Sequence, residues 1–224
     1  MDEETSRVVP LSAAARRVLG VLVEKAKTTP DHYPLTLNAI VTASNQKSNR
    51  DPKMDLDEDQ ALLAIDELKM VKAVREVQGS GRAVKYRHAA YEWMDIDGPE
   101  SAVMTELLLR GPQTAGELRT RASRMHPFSD LSALHTVVKQ LCDKGLVEPM
   151  SPAGRGQLFT HTLFQDQEKQ YLTARVEKRQ AAQSEGAKST VGDHSDLVGK
   201  LVSRLEEVTT RIDELEKRLA ELES

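Results

Sequence analysis

Leu68-Lys-Met-Val-Lys-Ala-Val-Arg-Glu-Val77, then Gly79-Ser-Gly-Arg82, then Ala83-Val-Lys-Tyr-Arg87 read as the end of a helix, a strand, a tight basic turn and a returning strand. Apolar, β-branched segments on either side of a glycine-rich turn are the pattern of a hairpin. The same order returns at Leu141-Cys-Asp-Lys-Gly-Leu-Val-Glu-Pro149, Ala153-Gly-Arg-Gly156 and Gln157-Leu-Phe-Thr-His161. Two amphipathic helical stretches precede each helix–hairpin unit. Three helices followed by a hairpin predict a winged helix-turn-helix, here in tandem. The expected fold is mainly α with small β-hairpins (α+β). It comprises two tandem winged helix-turn-helix domains, 1–92 and 93–165, a polar helix and flexible linker at 166–193, and a coiled-coil helix at 194–224.

Outward from the hairpins, the helices have their own signals. Ser12 stands where an N-cap would open the first helix, and Val18, Leu19, Leu22 and Val23 form its apolar stripe. Leu35, Leu37, Ile40 and Val41 predict a second helix, which runs out in Asn45-Gln-Lys-Ser-Asn-Arg-Asp-Pro52. A third starts with Asp55 or Asp57 as cap; Asp55 and Glu58 have capping-box spacing, and Leu62, Leu63, Ile65 and Leu68 are expected to point inward. In the second copy the helices are expected over about 99–110, 114–125 and 130–144, with Thr114 and Ser129 or Asp130 as caps, Glu117 in the box position and Gly145 as the stop.

The tail differs in kind. Val198, Leu201, Leu205, Val208, Ile212, Leu215, Leu219 and Leu222 are spaced alternately by three and four residues, a sustained heptad. Arg204, Arg211 and Arg218 fall at g, with Thr209, Glu216 and Glu223 at e. In a parallel homodimer Arg211 would face Glu216, and Arg218 would face Glu223, of a second copy. The competing reading is an amphipathic helix folded back on its own chain.

Charge restricts the partners. The 224 residues carry a net charge of −4; residues 1–92 hold 14 Lys/Arg against 14 Asp/Glu, 93–165 hold 7 against 8, and 166–224 hold 10 against 13. Neither expected domain is basic, which argues against strong non-specific DNA binding, because that affinity comes from neutralising phosphates. The single cysteine, Cys142, sits among Val137, Val138 and Leu141 and reads as a small buried hydrophobe. The apolar cluster at Leu107-Leu-Leu109 is far shorter than a membrane span, and Met1-Asp-Glu-Glu-Thr5 is no secretory leader, so a cytoplasmic location without membrane contact is expected.

Glu24-Lys25, Thr28-Thr-Pro30, Tyr33-Pro-Leu35 and Asn45-Gln-Lys-Ser-Asn-Arg50 form a distinctive set in the first copy. Leu107-Leu-Leu-Arg-Gly-Pro-Gln-Thr-Ala-Gly-Glu-Leu-Arg119, Arg124-Met125 and Phe128-Ser-Asp130 do the same in the second. Together these segments resemble the bacterial YceH-like family, over roughly residues 10–165 with a helical tail. The resemblance implies a tandem winged-helix fold in a family of uncharacterised function. It brings no catalytic or binding residues.

A winged helix reads DNA by laying its third helix in the major groove, with neighbouring elements on phosphate. The first copy's third helix carries Asp57, Glu58, Asp59, Asp66 and Glu67 against Lys69, which opposes phosphate. The DNA candidates there are Asn45, Gln46, Lys47, Asn49 and Arg50, whose amides and cations suit base edges and phosphates, with Arg82 and Lys85 in the wing. In the second copy they are Arg121, Arg124, His135, Lys139 and Arg155, with Ser132, Thr136 and Gln140 beside them. Against these stand plain alternatives: a helix end satisfied by its own amides, and solvated Arg–carboxylate pairs. The six histidines are scattered and the glycine turns too short for a phosphate loop, so no catalysis, metal or cofactor is expected. The leading expectation is a dimeric DNA-binding regulator; the alternative is a non-catalytic adaptor docking a protein through the acidic third helix. A positive stripe joining Lys47, Arg50, Arg82 and Arg121 would favour the first. An exposed apolar groove beside that helix would favour the second.

Overall fold

The computed structural model describes residues 8–78, 83–154, 156–174, 176 and 204. Contacts divide the chain into two units, 1–173 and 174–224. All the elements below belong to the first unit. The heptad residues Val198, Leu201, Leu205, Val208, Ile212, Leu215, Leu219 and Leu222 lie outside the described residues, as do the wing arginines Arg82 and Arg155.

The first unit is a mixed α+β fold of helices and two small antiparallel sheets. Helix α1 (Ala13–Thr28) starts at Ser12, whose Oγ accepts from the Ala15 N–H at 3.1 Å. Ser12 also donates through its N–H and its hydroxyl to Glu67, at 2.8 and 2.6 Å, tying the cap to another helix. Strand β1 (Leu35–Thr36), helix α2 (Leu37–Ser44), helix α3 (Glu58–Met70) and strands β2 (Val74–Gln78) and β3 (Val84–His88) complete the first copy. A short helix, α4 (Ala90–Met94), leads into α5 (Gly98–Arg110), β4 (Gln113–Thr114), α6 (Ala115–Ala122), α7 (Leu131–Asp143), β5 (Val147–Pro149) and β6 (Leu158–His161). The sheets have matching orders, β1-β3-β2 and β4-β6-β5.

The correspondence extends to single residues. Val74 pairs with His88 and Val147 with His161, so a histidine closes each hairpin at the same register. Each histidine then accepts, through Nδ1, the N–H two residues on: Ala90 at 3.3 Å and Leu163 at 3.2 Å. The turns after α3 and α7 also match. Lys72 (φ 64°) and Gly145 (φ 71°) take the left-handed conformation, and the next N–H returns into the helix, Ala73 to Leu68 O at 2.8 Å and Leu146 to Leu141 O at 2.9 Å.

Several expectations need correcting. The second helix begins at Leu37, because Leu35 and Thr36 are held as a strand against Tyr86 and Lys85. The cap of α3 is Asp57 in a reciprocal box with Gln60, so Asp55 and Glu58 play no part in it. Leu62 and Leu63 face solvent; Ala61, Ala64, Ile65 and Leu68 form the inner face. Positions 61, 64, 65 and 68 share one side of the helix, which turns Leu62 and Leu63 to the other. Cys142 is half-buried rather than fully enclosed, and burial raises its thiol pKa.

One core runs through both copies, from Leu11 to Leu163. Its centre is the crossing of α1 and α5. A Cβ on Gly20 would lie 3.0 Å from Leu109 Cδ2 and 3.2 Å from Leu108 Cβ, so glycine is what lets these helices come so near. Among the described residues no helix is long and apolar enough to cross a membrane.

Candidate binding surfaces

Helix α1 is buried from Ala15 to Glu24, and three of those residues are charged. A buried charge is tolerated only when paired and hydrogen-bonded. Glu24, 1% exposed, accepts from Arg50 Nη1 at 3.1 Å and Arg50 Nη2 at 2.6 Å, a two-point pairing. It also meets Arg124 Nη1 at 2.6 Å. Arg124 in turn donates to Glu106 of α5 through Nε at 3.0 Å and Nη2 at 2.6 Å. Arg110 Nε stands 3.2 Å from the other Glu106 oxygen, and its Nη2 donates to Asn49. Arg17 caps backbone carbonyls of Ser44, Pro52 and Leu109.

Arg124 therefore bridges a carboxylate from each copy. Burial pushes the Glu24 carboxyl up, but the Arg50 bonds and charge, backed by Arg124 and Lys25, outweigh it and hold the group below its ordinary range. Burial lowers Arg17 to about 10, with the Arg50 charge adding to the effect. Burial also works against the charge on Arg124, yet Glu106 and Glu24 raise its pKa above the ordinary value.

This network decides the fate of the nucleic-acid candidates. Arg50 is buried and committed to Glu24, away from where a phosphate could reach it in this arrangement. Asn45 closes a loop: its Nδ2 donates to Leu56 O at 2.7 Å and its Oδ1 accepts the Leu56 N–H at 2.8 Å. Gln46 accepts from Arg50 at 3.2 Å, and Asn49 accepts from Arg50 Nη1 through its carbonyl and from Arg110 through its side chain. Arg124 sits in the turn past α6 and points into the cluster. Arg121 bonds Gln113 at 2.6 Å and pairs with Glu117 at 3.2 Å. Lys85 is half-buried on β3, opposite Thr36 and Val77. Lys47, His135 and Lys139 remain exposed. A stripe running through Lys47, Arg50 and Arg121 would be interrupted at buried Arg50, and Arg82 lies outside the described residues.

The sequence carried a signal that was not used. Glu24 follows the apolar run Val21-Leu-Val23, and Glu106 precedes Leu107-Leu-Leu109. A lone carboxylate inside such a run requires a cation, and Arg50 and Arg124, with Arg110, are those cations.

Among the described residues, the third helix of each copy presents an outward face. On α3, Asp59, Leu63, Asp66 and Met70 are all exposed and recur at four, three and four residues, one straight line along the helix. Leu63 is 71% exposed, Met70 85% and neighbouring Leu62 39%. Lys69 is drawn to Asp66 at 3.5 Å and to Glu76 of β2 at 3.0 Å. On α7 the exposed side chains are Leu131, Ser132, His135, Thr136, Lys139 and Gln140, with no carboxylate before Asp143.

Residues 11–154 match the family model described as "Protein of unknown function, DUF480". The chain belongs to the DUF480 family. Among relatives, it is 55% identical over 207 residues to a UPF0502 protein of Rhodopirellula baltica, covering 92% of this chain and 87% of that one. A UPF0502 protein of Geotalea daltonii is 54% identical over 133 residues, 59% of this chain and 61% of its own. One from Geobacter sulfurreducens is 48% identical over 151 residues, 66% and 69% respectively. The DUF480 match covers the buried network from Glu24 to Arg124 and both outward helices.

Proposed function

We propose that this DUF480 protein is a non-catalytic adaptor built from two winged helix-turn-helix modules, docking a protein partner through α3. Leu63 and Met70, both largely exposed on a helix that is otherwise acidic, carry the reading. Large exposed apolar side chains on one helix face, set among polar groups, mark interaction sites. The helix–strand–helix–helix–hairpin order in both copies supports the winged assignment. The heptad of residues 198–222 supports a parallel homodimer that would present two such faces.

A photo-crosslinking residue at position 63, compared with one at position 132, tests the docking. A discrete adduct from position 63 alone is expected in cells expressing the full chain; equal adducts from both, or none, would overturn it.

A second reading, a DNA-binding regulator, is favoured by α7. Its outer face offers hydroxyl, imidazole, ammonium and amide groups free of carboxylates, a set that can address base edges. Anisotropy with mixed-sequence duplex, titrated from low to physiological salt, tests it. Affinity falling linearly in log–log salt would support phosphate contact, and absence of binding at low salt would remove it.

A further inference from the structure

We infer that the α3 face receives a cationic amphipathic helix from a partner protein, with alternating apolar and basic residues along one side. This rests on the docking reading above and adds the chemistry of the partner.

The line Asp59, Leu63, Asp66, Met70 alternates acid and hydrophobe at each helical turn over about 17 Å. A helix laid along it meets apolar side chains at two levels and carboxylates at two others. The matching sequence carries Leu- or Met-like residues and Lys or Arg at the same three-and-four spacing, as in helix-in-groove recognition. Hydrophobic contact would supply affinity, and the carboxylates would set register and exclude wrong partners.

Charge narrows the choice of occupant. Helix α3 holds four acids, Glu58, Asp59, Asp66 and Glu67, against one lysine, and that lysine is held between Asp66 and Glu76. Duplex DNA and anionic lipid are repelled by such a face. The tail of residues 194–224 is net acidic, with 5 Lys/Arg against 8 Asp/Glu, and its apolar positions with Arg204, Arg211 and Arg218 are those the homodimer reading already uses. A second copy would bring the same acidic face. A foreign cationic helix is the occupant that both the apolar and the charged side chains accept.

The test uses the full-length protein and two labelled synthetic helices of about 18 residues, roughly five turns, one built on a Leu/Lys heptad and the other on Leu/Glu. The Leu/Lys helix is expected to bind and the Leu/Glu helix not. Leu63→Ser with Met70→Ser should weaken binding by about tenfold or more, because the anchors of a small interface dominate its affinity. Asp59→Asn with Asp66→Asn should weaken it less and flatten its salt dependence. All four positions are exposed, so circular dichroism is expected to show the variants folded. Equal affinity for both peptides, or affinity unchanged in the Leu63/Met70 variant, overturns the proposal. So does sedimentation showing that this variant alters only self-association, since a second copy then covers the face. A silent Leu/Lys helix beside a persisting position-63 adduct overturns the cationic partner alone; silence in both removes the docking reading with it.

Discussion

Helices α3 and α7 are each 13 residues long, capped by an aspartate and ended by a left-handed residue. Their inner faces obey the same need: Ile65 and Leu68 in one, Leu134, Val138 and Leu141 in the other, all buried. Their outer faces differ most in charge. One shows the carboxylates Glu58, Asp59 and Asp66 with Leu63 and Met70; the other shows Leu131, Ser132, His135, Thr136, Lys139 and Gln140, with no carboxylate before Asp143. Packing constrains the interior of a repeated module and leaves its surface free, so two copies of one plan can serve different partners. The fold does not name the function; the divergent faces are where to look.

The strongest way to break the comparison is to sever the joint that makes the two copies one body. Arg124→Ala leaves the Glu106 carboxylate and one Glu24 oxygen without their shared guanidinium. Removing one partner of a buried pair costs about 3–5 kcal/mol, discounted here because the Arg124 side chain is 31% exposed. Urea denaturation should show the loss, and an unchanged midpoint would mean that the bridge is slack. Next, inner and outer faces should separate cleanly. Leu134→Ala on α7 is expected to cost about 2–5 kcal/mol, whereas Leu63→Ala on α3 should stay within about 0.5 kcal/mol.

Acid should then expose what the copies have in common. Burial lowers His88 to about 4 and His161 to about 3, with the Arg16 charge reinforcing the second. In the unfolded chain each titrates near its ordinary value of about 6.5, so between these limits the unfolded state binds more protons. Stability is therefore full above about pH 6.5 and falls as pH drops toward 4, with His161 continuing to lower it toward 3. Denaturation midpoints across that range should decline, and His161→Asn should flatten part of the slope. The smallest effect is the sharpest comparison. At the matched turns, Gly145→Ala should cost about 1 kcal/mol of backbone strain, with nothing near enough to clash, and Lys72→Gly should gain a similar amount. Opposite signs by thermal melting would establish that the two turns are equivalent; equal signs would break the correspondence.

Much of the frame was legible because its signals are local. Ser12, Thr114 with Glu117, and Asp130 cap the helices that their side chains announce, and Gly145 ends α7. Strands β1 and β4 were not legible, since two residues carry no periodicity. The outward leucines of α3 were not legible because size alone points Leu62 and Leu63 inward, whereas the buried side of the helix is Ala61, Ala64, Ile65 and Leu68. The pairing of Arg50 and Arg124 was not legible for a non-local reason. Arg50 and Glu24 are 26 residues apart, and Arg124 and Glu106 are 18 apart. Only the packed structure reveals that cations suited to phosphate already have their anions.

Arg124 also has a meaning for how this chain can be taken apart. A fragment ending before it would keep Glu24 paired to Arg50 but lose the second guanidinium on that carboxylate. A fragment holding it would aim Arg124 at an absent Glu24, while Gly20 and Leu109, made for each other, would both face water. The two copies resemble a duplicated module in outline, yet each has surrendered its autonomy to the other. Dissection into single modules, the ordinary way to assign activities in a repeat protein, will yield pieces that are not the parts.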